Sequence, residues 1–146
     1  MAVENRGATA GAARLAVLEG ISFEDDVGPF VRGAIDASRA VVRTDGLRSY
    51  QPLRRAGVRH DRRVQGDPAR SAQILPWSHV LFSNLKSWLR GTFHGVSKKH
   101  MPRYLDEFSY RLNQRWDERA LFGSILARAL VCPPFPYASL VAESGR

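Results

Sequence analysis

Asp45 is the first residue whose position in the sequence indicates chemistry. It follows a short β-branched run at 40–44, which predicts a buried strand, and Gly46 comes directly after it. In α/β proteins, ligands and catalytic groups gather at the carboxyl ends of the strands, where Asp45 would lie. The alternative interpretation is an ordinary turn, because Asp-Gly is a typical turn sequence.

A second candidate group lies on a helix predicted over 76–90. His79 and Lys86 are seven residues apart, which is two helical turns, so both side chains project from one face. Ser83 and Arg90 fall on the same face, and mostly apolar residues fall on the opposite one. This polar, partly cationic stripe can serve a functional site, or it can be the solvated face of an amphipathic helix.

Other kinds of site have little or no support in the sequence. His94 and His100 flank a short connection, but no cysteine or carboxylate nearby has a spacing that would complete a zinc site. Cys132 is the single cysteine of the sequence, so an internal disulfide is excluded. Neither a glycine-rich phosphate loop nor a Gly-x-Ser-x-Gly nucleophile motif occurs.

The elements that must hold these residues alternate between strands and helices. Turn residues and apolar spacing predict the order β-β-α-β-α-β-α-α-α, which indicates an α/β layered domain. The predicted strands lie at 1–5, 14–19, 40–44 and 58–65, and the predicted helices at 22–36, 47–56, 76–90, 98–115 and 118–131. The length of 146 residues suits one domain, which we place at 1–131, followed by an extended tail at 132–146.

The charge of the chain is positive and uneven. It carries 22 basic and 14 acidic residues, a formal net charge of +8. Residues 1–42 hold four basic and six acidic residues, a net charge of −2, so residues 43–146 carry +10. A one-sided basic excess favours a polyanionic partner, with nucleic acid first, although an inert basic surface would have the same composition.

Composition limits the class of protein further. Hydrophobic residues make up 44% of the chain, which is enough for a buried core and excludes wholesale disorder. No apolar run is long enough for a transmembrane helix, and the N-terminus lacks the pattern of a signal peptide. We therefore expect a cytoplasmic protein with no membrane partner.

Longer sequence blocks carry a resemblance to a known family. The blocks are TDGLRSY at 44–50, GVRH at 57–60, LPWSHVLFSNLK at 75–86, GTFHGVSKKH at 91–100, RYLDEF at 103–108 and RLNQR at 111–115. In this order and with these gaps, they resemble bacterial insertion-sequence transposases of the DDE class, more narrowly the ISXO-type transposase domain. The resemblance covers almost the whole chain.

The resemblance implies a fold and a mechanism. The fold would be ribonuclease H-like, with a mixed sheet, flanking helices and a helical C-terminal part. In this class, acidic residues hold two divalent metal ions that activate water, and then a DNA 3′-hydroxyl, for attack on a phosphodiester. Asp45 matches the second catalytic Asp, His79 the third metal-ligand position and Lys86 a lysine expected at the DNA phosphate. The expected metal is Mg²⁺ or Mn²⁺, held by Asp45 and His79.

The resemblance also implies DNA as the partner, both the ends of an insertion sequence and its target. A homo-oligomer on the DNA and association with the nucleoid are part of this expectation. Basic residues after position 43 would line the DNA path. These are Arg54, Arg55, Arg59, Arg62, Arg63, Lys86, Arg90, Lys98, Lys99 and Arg103.

One part of the family pattern has no counterpart in the sequence. The first catalytic Asp of the family lies on a strand that precedes the part resembled by residues 1–5, whereas Glu4 matches a later strand and Asp25 and Asp26 match a helix. We therefore expect a C-terminal portion of a transposase catalytic domain, without the first strand and inactive alone. The alternatives are a non-catalytic DNA-binding regulator and a decayed transposase remnant.

Overall fold

The computed structural model of the protein describes residues 1–64, 71–93 and 95–142. Within these residues the chain forms two small β-sheets and a series of helices, which confirms the α/β class predicted from the sequence. The helices make up most of the second half of the described chain. No helix in this part of the molecule is long and apolar enough to cross a membrane.

The first sheet is an antiparallel hairpin of β1 (Ala2–Asn5) and β2 (Ala10–Arg14). Asn5 shapes the turn, because its side-chain oxygen accepts a hydrogen bond of 2.8 Å from the backbone N–H of Gly7. Gly7 has a φ of +78°, a left-handed conformation that glycine adopts readily. The strand predicted at 14–19 is wrong, because the second strand ends where the prediction begins it. Alanine and glycine have low strand propensity, so the pattern of side chains did not reveal β2.

A π-helical turn (Phe23–Val27) leads into α1 (Gly28–Ala34). Ser22 begins this turn, because its hydroxyl accepts a hydrogen bond from the backbone N–H three residues further on. Pro29 lies in the first turn of α1, where its missing N–H leaves no helical hydrogen bond unmade. The single helix predicted over 22–36 is therefore two consecutive helical segments.

The second sheet pairs β3 (Val41–Thr44) with β4 (Arg59–Arg62) in parallel. A 3₁₀ helix (Arg48–Leu53) lies between them in the chain. This segment contains Pro52, which lacks the N–H that an α-helix would use, so the α-helix predicted over 47–56 does not form. The two strands predicted at 40–44 and 58–65 are present but shorter.

A first apolar core lies beside the second sheet. Val27, Val31, Leu53 and Val58 are its buried members, and Leu53 is only 1% exposed. Each such side chain contributes about 1.5–3 kcal/mol when it is fully buried. This core therefore joins α1 and the 3₁₀ helix to the sheet.

The helical half of the molecule begins with α2 (Ser71–Ile74) and the long helix α3 (Pro76–Thr92). A 3₁₀ turn (Lys98–His100) then leads directly into α4 (Met101–Gln114). Both long helices were predicted. α3 begins at Pro76, as expected for a proline in a first helical turn.

A second apolar core joins α3 to α4. Leu85 of α3 and Leu105 and Phe108 of α4 are buried together. The Trp88 ring packs against Phe108 with 5.7 Å between the ring centroids, and it also contacts the Phe93 ring edge-on at 5.2 Å. Each such aromatic pair adds about 0.5–1.5 kcal/mol to the stabilisation that comes from burying its surface.

The chain continues with α5 (Glu118–Val131), which has the predicted bounds, and α6 (Tyr137–Ala142). Asp117 caps α5, because its carboxylate accepts a hydrogen bond from a backbone N–H of the first turn. α6 lies within the segment that was expected to be an extended tail, and residues 133–136 before it have no regular structure.

The two sheets are not hydrogen-bonded to each other within the described residues. A cavity of about 1080 Å³ lies between them, and we call it the inter-sheet cavity. β1 and β3 each have one strand partner, and residues of both strands line this cavity. α1 and residues 74–78 complete its wall.

The end of α4 holds the hairpin through side-chain hydrogen bonds. Asn113 accepts a hydrogen bond of 2.7 Å from the backbone N–H of Ala13 and donates one of 2.9 Å to the carbonyl of the same residue. Arg115 donates to the carbonyls of Ala10 and Gly11. We call Asn113 and Arg115 the α4 clamp. It binds backbone groups of β2 in addition to the pairing of β2 with β1.

The clamp predicts a stability effect for Asn113→Ala. This change leaves two backbone groups of the buried residue Ala13 without their partner, which should lower the free energy of unfolding by about 2 kcal/mol. Urea unfolding followed by circular dichroism measures it. The matched control is Asn84→Ala, at an exposed position of α3, which should change stability by less than about 0.5 kcal/mol. Equal effects of the two substitutions would contradict the role of the clamp.

Candidate active site

Asp45 follows β3 directly, at the carboxyl end of the parallel pair β3 and β4. Its side-chain oxygen accepts a hydrogen bond of 3.1 Å from the backbone N–H of Leu47, which fixes the carboxylate over the turn. The next carbonyl, that of Gly46, accepts a hydrogen bond of 3.1 Å from the Arg62 side chain. We call residues 44–47 the Asp45 turn. Asp45 therefore lies both in a turn and at a strand end, a position that is compatible with either sequence-based interpretation.

Residues of β4 and the residue after it form hydrogen bonds with Thr44 in the Asp45 turn. The Thr44 carbonyl accepts a hydrogen bond of 2.9 Å from the backbone N–H of Arg63. The Thr44 hydroxyl lies 2.8 Å from Nε2 of His60 and 3.0 Å from the carbonyl oxygen of Asp45. Thr44 and His60 are both buried, whereas Asp45 is partly exposed.

Tyr50 is a second partly buried group beside Asp45. Burial is the main cause that raises the pKa of the Tyr50 phenol, and the negative charge of Asp45 raises it further. Both residues line the inter-sheet cavity. The phenol is thus a neutral hydrogen-bonding group near the candidate carboxylate.

The first turn of α3 reaches the same cavity. Pro76, Trp77 and Ser78 line it together with Asp45. His79 is the next residue, and its side chain is exposed rather than part of the cavity wall. The structure therefore brings the start of α3 to the Asp45 cavity without turning the His79 side chain into it.

The polar stripe of α3 has the exposure that its periodicity predicts. His79, Ser83, Lys86 and Arg90 are all exposed, whereas Leu81 and Leu85 on the other side are buried. Lys86 and Arg90 thus carry their charges on the solvent face of the helix that begins at the cavity.

Metal binding needs several ligand side chains close together. Within 1–64, 71–93 and 95–142, no three or more His, Cys, Asp or Glu side chains come together in a group that could hold a metal ion. Asp45 and His79 supply two candidate ligands, fewer than either Mg²⁺ or Mn²⁺ normally takes from a protein and its substrate. These residues alone do not fit a complete metal site.

The predicted DNA-binding residues fall into two groups. In the first, the guanidinium group bonds to the protein: Arg54 donates to the carbonyl of His60, Arg59 to that of Arg39 and Arg62 to that of Gly46, and Arg63 pairs with Asp61 at 2.9 Å. The second group lies around α3 and α4 or after the 3₁₀ helix, namely Arg55, Lys86, Arg90, Lys98, Lys99 and Arg103, and the residues of both groups are exposed. Arg103 also lies 4.6 Å from the centre of the Phe135 ring.

Thr44, Tyr50 and His60 had no predicted role. All three belong to the sequence blocks TDGLRSY and GVRH, so the blocks themselves were the available signal. Thr44 and His60 are sixteen positions apart, and periodicity does not reveal their contact.

These features define an α/β domain with a candidate site at a strand end, beside the first turn of a helix that carries a cationic stripe. The chain belongs to the ISXO2-like transposase domain family, whose model matches residues 1–113. The match contains Asp45, His79 and Lys86, and it indicates a part in DNA transposition with DNA as the partner. Comparisons with curated proteins and with solved structures gave no match.

His60 predicts a pH dependence of stability. Its pKa lies below the usual 6.5, mainly because of burial and also because Arg54 and Arg62 are close. The unfolded chain therefore binds a proton near pH 6.5 that the folded protein does not, so the free energy of unfolding should fall as the pH is lowered from 7 towards 5.

His60→Gln should flatten this pH dependence, because glutamine does not titrate. The matched control is Asn84→Gln at an exposed position of α3, which changes no titratable group and should leave the slope unchanged. Urea unfolding at a series of pH values measures both. A slope that persists in His60→Gln would show that another group is responsible.

Proposed function

We propose that the chain acts in DNA transposition as part of a DDE-type catalytic domain with a ribonuclease H-like fold. Asp45 and His79 are the metal-binding residues of this proposal, with Mg²⁺ or Mn²⁺ as the ion, and Lys86 contacts a DNA phosphate near the reacting bond. The observation that carries it is the shared cavity, which Asp45 and the first turn of α3 line together. The family match over 1–113, which contains all three residues, supports it.

The metal site needs a further carboxylate in this proposal. Two ligands are too few for a catalytic metal pair, and the described residues offer no three-ligand group. We assign the missing ligand to the first Asp of the family pattern, on an additional strand. The inter-sheet cavity is a suitable place for that strand, because β1 and β3 both line it and each has one strand partner among the described residues. The chain alone is then inactive in cleavage.

The role of Lys86 follows from its place on α3. It lies two helical turns beyond His79 on the same exposed stripe, with Arg90 one turn further. A lysine ammonium binds a phosphate as a compact point charge, so this stripe can hold the DNA backbone without reading its sequence.

A metal-binding measurement tests the site assignment. Substoichiometric Mn²⁺ should broaden the amide NMR signals of residues 45–47 and 78–80, because a paramagnetic ion held by Asp45 and His79 relaxes nearby protons. Asp45→Asn should abolish the broadening in both segments, since an amide lacks the charge that binds the ion. The matched control is Asp106→Asn, at an exposed position of α4, which should leave it unchanged. Broadening that survives in Asp45→Asn would remove Asp45 from the site.

The DNA-binding surface has a separate test in the salt dependence of affinity. Replacing Lys86, Arg90 and Lys98 together by glutamine should flatten the plot of log affinity against log salt by about 2–3 units. Fluorescence anisotropy with a duplex of arbitrary sequence measures it. The control replaces Arg14, Arg32 and Arg119, three exposed arginines outside the proposed DNA path, and removes the same charge. Equal slopes for the two triple variants would contradict the proposed path.

A non-catalytic DNA-binding regulator is the second candidate function. The lack of a three-ligand group in the described part of the chain favours it. It predicts the same salt dependence of DNA binding but no Mn²⁺ broadening at residues 45–47. The two measurements together therefore separate the two functions.

A further inference from the structure

His60 is a buried titratable residue to which the proposed mechanism gives no part. It lies in β4 opposite Val42 of the parallel strand, with 8% of its surface exposed, and Thr44 is 7% exposed. A buried polar side chain is costly unless it is hydrogen-bonded, so the partner of His60 is informative. That partner is the hydroxyl of the residue directly before Asp45.

Both contacts of the Thr44 hydroxyl can be hydrogen bonds in one arrangement only. A threonine hydroxyl has one proton, so in that arrangement it donates to the carbonyl oxygen of Asp45 at 3.0 Å and accepts from His60 Nε2 at 2.8 Å. This arrangement requires the ring to carry its proton on Nε2. Burial and the nearby charges of Arg54 and Arg62 favour the neutral ring that this arrangement needs.

The chain of hydrogen bonds ends on the candidate carboxylate. His60 holds Thr44, Thr44 holds the Asp45 carbonyl, and the Asp45 side chain holds the Leu47 N–H. The carbonyl of His60 is itself bound by the Arg54 side chain at 3.2 Å, which fixes the strand on which the imidazole is carried. The direction of the Asp45 carboxylate thus depends on a residue fifteen positions away.

We infer that His60 is a positioning residue, whose Nε2–H orients the Asp45 turn through the hydroxyl of Thr44. The inference rests on the proposed role of Asp45 for its functional meaning. The competing explanation is that His60 only fills space in the sheet. In that case a side chain of similar size without a donor would serve equally well.

Two pairs of variants distinguish these explanations. Glutamine at position 60 can place an amide N–H close to the position of Nε2, whereas leucine offers no donor. Serine at position 44 keeps the hydroxyl, whereas valine keeps the shape of threonine but has no hydroxyl. The rate at which the Leu47 amide exchanges its proton with water, measured by NMR magnetisation transfer, reports its hydrogen bond to the Asp45 carboxylate. The internal reference is the exchange rate of the Val58 amide, which donates to the Leu53 carbonyl at 3.0 Å.

The positioning role predicts an exchange rate of Leu47 about tenfold higher in His60→Leu and Thr44→Val, with Val58 little changed. His60→Gln and Thr44→Ser should stay within about twofold of the unmodified protein. The ¹⁵N shifts of the His60 ring should identify the Nε2–H form. If His60→Leu does not fold, the Thr44 pair still decides.

Several results would overturn the inference. The first is a Leu47 exchange rate that does not change in Thr44→Val or His60→Leu, and the second is an equal rise of the Leu47 and Val58 exchange rates. The third is a Leu47 exchange rate in His60→Gln as high as that in His60→Leu. The fourth is a His60 ring that carries its proton on Nδ1. The failure of the proposed function is read separately, from Mn²⁺ broadening that does not depend on Asp45. Since the exchange experiment contains no metal, each idea can fail without the other.

Discussion

The hairpin of β1 and β2 is held by side chains rather than by a continuous sheet. Asn113 and Arg115 bind the backbone of β2, and no strand of the described chain joins the hairpin to β3. The position of the hairpin therefore depends on α4, and α4 is in turn fixed to α3 by the apolar core around Leu105. Because the hairpin forms one wall of the inter-sheet cavity and the start of α3 forms another, the α4 clamp contributes to the shape of the candidate site, as does the hydrogen bond from the Trp77 indole to the Gly7 carbonyl.

The helices were the part of the fold that the sequence predicted best. α3 and α5 begin where a proline or a capping aspartate marks a first turn, and these are local signals. β2 was missed because its alanines and glycine have low strand propensity, and part of its backbone is bound by a side chain a hundred positions away. The helix predicted over 47–56 failed for a local reason, the proline inside it.

The candidate site could be predicted in its residue types but not in its arrangement. Asp45 was identified from its place after a β-branched run, and the polar stripe of α3 from a period of 3.6 residues. The hydroxyl of Thr44 and the imidazole of His60 have no such signal, because their contact follows from the register between β3 and β4. The cavity is a property of two sheets that do not join, which no local pattern encodes.

The surface of α5 has a consequence for how this chain can vary during evolution. Phe122 and Leu130 are 74% and 78% exposed, none of the α5 side chains that the structure describes belongs to either apolar core, and the family match ends before this helix. Substitutions on this surface lose little packing energy, so folding imposes weak selection on them. Selection against aggregation acts instead, because exposed apolar side chains on a helix attract one another between molecules. Drift in α5 should therefore run towards polar residues, while Leu53 and Leu105 keep their size and apolar character.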